Sequence, residues 1–433
     1  MKFEHPFKSE AKKEKPKLAD LDVRGREIFG LESRPERFSR LVPGRDLEIL
    51  VKAGDISSES DLDEAFVFVN PSAGEESLPV EPPHWRTVTK RGINATRETP
   101  SGKDFFYATN TKGVGYLKPT VKGGRSLDEY GDWNRVDEYE REGGYGIADA
   151  EEFYQGKSDV IRLSRKFADE GMRVEMYYSV GKLKSVYYRG KQESIDSLRR
   201  KKIIPSSRHL TPEIAIRLFK TNARVAEAAD SDDPRAKELM REGFDVFNRE
   251  TKDKGLGFPE LRVGEPGHEK IFFKEFFRRM GRNLAAFQNT GYIGWHVHSS
   301  NITLAAEIAD IGSYMHHSYY EEYEDADTYV KKYSGVRRGT LKDMRDFAYN
   351  LREFIGAAEH LGMSHGEMQE LVDVYLQSFH KALDPKKIAV EGLDVNQLFS
   401  VAEKITTAVL IDGKHLSSLK QKKADIQDWN LGL

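Results

Sequence analysis

The residues best equipped for chemistry lie close together in Phe287–Tyr314, FQNTGYIGWHVHSSNITLAAEIADIGSY. Two short β-branched or apolar runs, Asn301–Leu304 and Glu307–Ile311, are separated by Ala305-Ala306. With those alanines as a two-residue hairpin loop, Leu304 faces Glu307, Ile302 faces Ala309, and Asn301 faces Asp310. Directly opposed residues place their Cβ atoms roughly 4.5–5.5 Å apart. One amide and one carboxylate would then converge at the open end of the hairpin. That pair suits a hard cation such as Mg²⁺, which takes one or two protein oxygens and fills its shell with phosphate oxygens and water. Ala-Ala is poor chemistry for the primed turns that favour two-residue loops. Just upstream, His296 and His298 fall on one side of an extended segment. A histidine there can accept a proton near neutral pH.

These residues need elements to hold them. Phe273, Phe276, Met280, Leu284 and Phe287 recur at spacings of three or four, which predicts a helix with one buried stripe. Gly291 stands where a C-capping glycine belongs. Further helices are expected over Pro212–Ala229, Asp233–Glu250, Glu269–Asn289, Leu341–His360, Ser364–Ala382 and Val395–Ile411, with Thr211 and Ser364 as caps. Residues before 205 read differently. Asp104–Thr109 and Gly113–Thr120 predict strands joined by a turn at Asn110–Lys112, and a helix is expected within Ile147–Gly171. Arg173–Val180 and Leu183–Arg189 predict a hairpin across Gly181-Lys182. The resulting division is a disordered basic arm at 1–20, an accessory segment at 21–83, a strand-rich lobe at 84–205 and a helical lobe at 206–433 interrupted by the hairpin at 301–311.

Composition bounds the function. The 433 residues are 38% hydrophobic and 32% charged, as in a protein with a heavily charged surface. Lys and Arg number 68 against 71 Asp and Glu, which argues against bulk polyelectrolyte binding. The clusters Arg199–Lys202 and Arg337-Arg338 lack interleaved aromatics, so nucleic acid is not an expected partner. The acidic run Tyr319–Asp327 reads as an exposed linker. There is no cysteine, hence no thiolate nucleophile or zinc–thiolate site, which suits a cytoplasmic setting. No apolar run reaches the length of a membrane span, and the first residues lack the apolar core of a secretory signal.

A strand-rich lobe followed by a helical lobe with Asn and Asp at one hairpin resembles the protein-kinase-like fold, an α+β bilobal architecture. The segment Gly291–Asn301 with Ala309-Asp310-Ile311-Gly312 is similar to the selenoprotein O family of protein AMP-transferring enzymes, and more distantly to aminoglycoside-phosphotransferase-like kinases. Asp310-Ile311-Gly312 stands where kinases have Asp-Phe-Gly and selenoprotein O has Asp-Tyr-Gly. About 25 residues carry the similarity; the order of elements extends it over 100–315. The resemblance implies ATP with Mg²⁺ or Mn²⁺ as cofactors, Asn301 and Asp310 as metal ligands, Lys118 as the third-strand lysine on the phosphates, and Glu152 as that lysine's partner. It implies transfer of an AMP or phosphoryl group to a protein or small-molecule acceptor. The catalytic carboxylate is replaced: His296 stands five residues before Asn301, where kinases have Asp, and Ser300 stands immediately before it, where selenoprotein O has Asp. His296 and Ser300 are therefore the candidate catalytic residues, and a nucleotide-binding pseudokinase is the alternative. Two other classes stay open. His296-Val-His298 resembles the first metal motif of metal-dependent hydrolases, and the helical half could be a protein-interaction module.

Overall fold

The computed structural model describes residues 39–42, 47–60, 62, 65–68, 87–100, 102–112, 159–188, 191–201, 213–229, 236–294, 297–316, 338–359, 364–390 and 394–411. The expected arm at 1–20, the strand at 113–120, the acidic run at 319–327, and Lys118, Glu152 and His296 lie outside those residues.

The chain is α+β, with a fully antiparallel six-stranded sheet and a set of long helices. Its first strands are β1 (Ser39–Val42), β2 (Leu47–Lys52), β3 (Ile56–Ser58), β4 (Ala65–Phe68), β5 (Thr87–Thr99) and β6 (Gly102–Lys112). Helix α1 (Asp159–Asp169) follows, then β7 (Met176–Leu183), β8 (Ser185–Tyr188), β9 (Lys191–Ser194), α2 (Ile195–Arg200) and β10 (Glu213–Phe219). The sheet order is β2-β7-β10-β6-β5-β3; β1 pairs with β4, and β8 with β9. Segments expected to be accessory, before residue 83, thus supply both edges of the main sheet.

Three local readings change. Asn110–Lys112 does not turn but ends β6, and β5 meets β6 at Thr99↔Gly102. Gly181-Lys182 does not turn either. Strand β7 runs straight through it because both edges are occupied: Gly181 pairs with Ile214 of β10 and with Ile49 of β2. Finally, Pro212–Ala229 is not one helix. Glu213–Phe219 is a central strand with every residue buried, and only Val225–Ala228, α3, is helical there. A strand covered on both faces is apolar on both, so the alternation that marks strands disappears. The sheet therefore continues past the expected boundary at residue 205.

Beyond it, helical expectations meet α4 (Ala236–Asp253), α5 (His268–Thr290), α6 (Arg338–Glu359), α7 (His365–Ala382), α8 (Pro385–Val390) and α9 (Val395–Leu410), with the short strands β11 (Tyr292–Ile293) and β12 (Met315–His316) between α5 and α6. Gly291 ends α5 at φ 70°, a left-handed C-cap. Ser364 opens α7 in a capping box with Glu367. The predicted stripe of α5 is buried throughout, with Phe273, Met280, Leu284 and Phe287 at 0% exposure and Phe276 at 3%. Burial of such side chains stabilises by about 1.5–3 kcal/mol each. The ring of Phe276 lies 4.4 Å from that of Phe354 on α6, joining the two helices. Among the described residues no helix is long and apolar enough to cross a membrane.

Helix α7 crosses α5 at Gly281. A Cβ there would sit 2.3 Å from the Tyr375 carbonyl oxygen and 3.0 Å from the Phe379 nitrogen. Backbone cannot step aside as a side-chain tip can. Gly281→Ala is expected to cost about 1–3 kcal/mol and lower the melting temperature. A melt matching wild type would show that the crossing is looser than drawn.

Candidate functional site

The segment Asn301–Asp310 crosses the core between two stretches of chain. On one side Val225 N donates to the Ile302 carbonyl (2.9 Å) and Leu304 N to that of Ala223 (2.8 Å). On the other, Ile308 N donates to the Arg173 carbonyl and Glu175 N to that of Ile308, both at 2.9 Å. Within the segment, Thr303 N donates to Glu307 O (2.9 Å), Ala309 N to Asn301 O (2.8 Å), and Ile302 bridges to Ile308. The expected hairpin therefore exists with its register shifted by one residue. Its loop has three residues, with Ala306 N bonded to Thr303 O and Ala306 in the left-handed region at φ 61°. A three-residue loop ending in a left-handed residue is a standard alternative to the primed turn, and it avoids the turn Ala-Ala cannot make. Asn301 now opposes Ala309, and Asp310 lies one step along, itself left-handed at φ 59°, ψ 41° before a 3₁₀ turn over Ile311–Ser313. Aspartate tolerates this region better than most residues.

Asp310 is the hub. Its Oδ1 accepts from Lys112 Nζ at 2.8 Å and from Arg217 Nη1 at 3.2 Å. Arg217, 1% exposed in mid-sheet, also donates to Glu175 Oε2 (2.6 Å) and to Asn110 Oδ1 (3.1 Å). Glu175 Oε1 accepts from the Ile311 backbone N at 3.0 Å, which fixes the turn after Asp310. Arg224 lies beside this set, also 1% exposed. Its guanidinium is 5.0 Å from the Phe219 ring, which Arg217 approaches to 5.3 Å. Arg224 Nη2 donates to Asn222 Oδ1 (3.0 Å), while its buried Nε and Nη1 have no acceptor among the described residues. Desolvation and then the neighbouring charge of Arg217 pull the Arg224 pKa down to about 10, so it is still cationic at neutral pH.

Asn301 is buried at the end of a 3₁₀ turn over Ser299–Asn301, with Ser300 half-buried in the same turn. His298 Nε2 lies 3.2 Å from Asn301 Nδ2. Desolvation lowers the His298 pKa, against the opposing field of Asp310. The stretch on either side of His296 is tied to α6: Gly294 N donates to Asp343 Oδ1 (3.0 Å), Lys342 Nζ to Gly294 O (2.6 Å), and Asn350 Nδ2 to Val297 O (3.3 Å).

Of the expected site residues, Asn301 and Asp310 lie on this segment, with Asn301 opposite Ala309 and Asp310 one step along, and Ser300 directly precedes it. Lys118, the expected phosphate-contacting cation, lies outside the described residues; on Asp310, beside Arg217, the structure has Lys112. Its signal was available: Asn110 and Lys112 share one face of β6 by the two-residue period. Arg217 and Arg224 were also missed. A lone arginine inside the apolar run Ile214–Phe219 is costly unless paired, and that should have marked it. Among the described residues, the ring of His316 packs against Tyr292 and that of His380 against Phe399; His296 of the hydrolase motif lies outside them. Among the described residues no group of three or more His, Cys, Asp or Glu could hold a metal ion.

A second ionic network supports the hairpin loop. Arg173 makes paired 2.7 Å bonds to Glu250 and one to the Ala305 carbonyl. Both carboxylate oxygens of Glu307 accept from Lys220 N at 3.0 Å, and Lys220 Nζ reaches Asp104 at 3.0 Å. Desolvation would raise the Asp104 pKa, but Lys220, Lys254 and Arg173 overcome it and bring it from 3.8 to about 2. Its stabilising contribution is complete above the ordinary carboxylate pKa and is lost as pH falls from about 4 to about 2, at most about 2 kcal/mol. Glu307, whose pKa desolvation raises, carries the opposite sign. Unfolding midpoints measured between pH 2 and 5 are expected to fall less steeply in Asp104→Asn than in wild type; parallel curves would remove Asp104 from this role.

No protein-family model and no curated protein matches the chain.

Proposed function

We propose that the chain is a kinase-like protein of bilobal type that binds ATP with Mg²⁺ or Mn²⁺ and transfers an AMP or phosphoryl group to a protein or small-molecule acceptor. One observation carries the reading: Lys112 on β6, the third strand in from the β3 edge of the main sheet and the fourth in chain order, meets Asp310 at the base of the Asn/Asp hairpin at 2.8 Å. In this reading that ion pair joins the cation that neutralises phosphate to the carboxylate that binds the metal. In this reading Lys112 takes the role that the resemblance assigns to a third-strand lysine. Arg217 and Arg224 add charge in a desolvated setting, where electrostatic attraction to a polyphosphate is strongest. Two buried guanidinium donors of Arg224 without acceptors favour an anionic ligand, since unmet buried donors cost about 1–3 kcal/mol.

The donor set fits a divalent hard cation. Asn301 and Asp310 would hold it, and two protein oxygens fall short of its shell, as Mg²⁺ sites completed by phosphate oxygens do. When bound, such a cation neutralises charge developing on the transferring group. Lys112 orients the phosphates, and the hairpin, pinned on both sides, holds Asn301 and Asp310 still. His296 is the residue proposed to take the acceptor's proton, with Ser300 as the second catalytic candidate. Calorimetric titration of ATP into the chain with Mg²⁺ or Mn²⁺ tests the reading. Saturable binding is expected, and no heat or binding with either metal removes it.

A further inference from the structure

His298 touches the proposed metal ligand Asn301 twice. Its backbone carbonyl accepts from Asn301 N at 2.7 Å, closing the 3₁₀ turn, and its ring Nε2 lies 3.2 Å from Asn301 Nδ2. An asparagine amide has a donor end and an acceptor end of the same shape, so something must decide which end faces which way. The Nδ2 end can only donate. It therefore requires a lone pair on His298 Nε2, which a neutral imidazole with its proton on Nδ1 supplies. With Nδ2 committed to the ring, Oδ1 is turned away from His298. A reversed amide would present N–H groups to a cation and repel it.

We propose that His298 is a positioning residue: by accepting from Asn301 Nδ2 it holds the acceptor end of that amide toward the divalent cation of the ATP site. This rests on the reading of Asn301 and Asp310 as the metal's ligands. It assigns His298 no proton transfer and no metal contact. Partners that orient a metal ligand are worth roughly ten- to a hundredfold in metal affinity.

The test is a double-mutant cycle on the full chain, read as Mn²⁺ affinity at fixed ATP, alongside ATP affinity without metal. His298→Leu is expected to weaken Mn²⁺ about tenfold and leave metal-free ATP binding unchanged. His298→Gln, whose side-chain carbonyl can still accept from Nδ2, should recover most of the loss. In an Asn301→Asp background the ligand has two equivalent oxygens and cannot be reversed, so His298→Leu should there cost little. An equal loss in both backgrounds overturns the proposal, because general damage to the turn would then explain it. So does an unchanged Mn²⁺ affinity in His298→Leu. Asn301→Ala separates the two levels of argument. If it lowers Mn²⁺ affinity while His298→Leu does not, only the positioning role falls; if it leaves Mn²⁺ affinity intact, the site reading falls with it. His298 is solvent-exposed, and thermal melts of each variant check the fold.

Discussion

Asp310→Asn is expected to weaken binding of ATP with Mg²⁺ by roughly 10²- to 10³-fold while leaving metal-free ATP binding as tight as in wild type, or tighter. Removing one charged partner from a desolvated contact costs about 2–5 kcal/mol, and each 1.4 kcal/mol is tenfold. The asymmetry follows from who shares Oδ1. Without metal, Asp310 neutralises Lys112 and Arg217, so it competes with phosphate for both cations. Its neutral isostere releases them. Lys112→Ala should instead weaken binding with and without metal, because the lost charge faces the phosphates directly. Asparagine is the better probe than alanine at 310, since truncation would strand two largely buried cations and cost stability as well. Titrations of the two variants with and without Mg²⁺ decide the matter. Equal losses in both conditions for Asp310→Asn would mean that this carboxylate does not hold the cation.

What the sequence disclosed depended on whether a period survives an element's burial. Helix α5 was readable because its large apolar side chains recur at spacings of three and four over 23 residues, although most of its residues are buried. Strand β10 was misread because all seven of its residues are buried, and a two-sided apolar run carries no period to distinguish strand from helix. The two flanking partners of β7 likewise overrode Gly181-Lys182, a local turn signal of the ordinary kind. Tertiary pairing decided both. The hairpin of the candidate site was half legible for a related reason. Asn301 and Asp310 could be named because their neighbours alternate over a short hairpin, but the register depended on Ala306 adopting a left-handed conformation, which alanine rarely does. One extra loop residue moves every facing pair by one position. Lys112 escaped because it closes a strand whose last four residues, Thr109–Lys112, are all buried although polar. Buried polar residues gathered at one strand end need partners from elsewhere in the chain, and those partners, Asn222, Arg217 and Asp310, are distant in sequence.

Label from α-labelled ATP, and none from γ-labelled ATP, is the expected outcome when the chain is incubated with each nucleotide and candidate acceptors. AMP transfer forms a bond from an acceptor oxygen to the α-phosphorus, breaks the bond to the β-phosphate oxygen and releases pyrophosphate. Phosphoryl transfer attacks the γ-phosphorus and releases ADP. In both, the acceptor's hydroxyl proton must go to a base. In the proposed site, Lys112, Arg217 and a divalent cation would serve either geometry, since positioning and charge neutralisation dominate such transfers. The preference for AMP rests on the close spacing of Asn301 and Asp310, which resembles the AMP-transferring family more than the kinases. Label from the γ position alone would reverse it. His296→Ala is expected to abolish label while Ser300→Ala preserves it, because only an imidazole can take the proton near neutral pH in place of the absent carboxylate. Label that survives His296→Ala assigns the proton elsewhere. If ATP binds tightly and no acceptor is labelled from either position, the chain is a nucleotide-binding pseudoenzyme, and the replacement of the catalytic carboxylate by His296 and Ser300 is the physical reason.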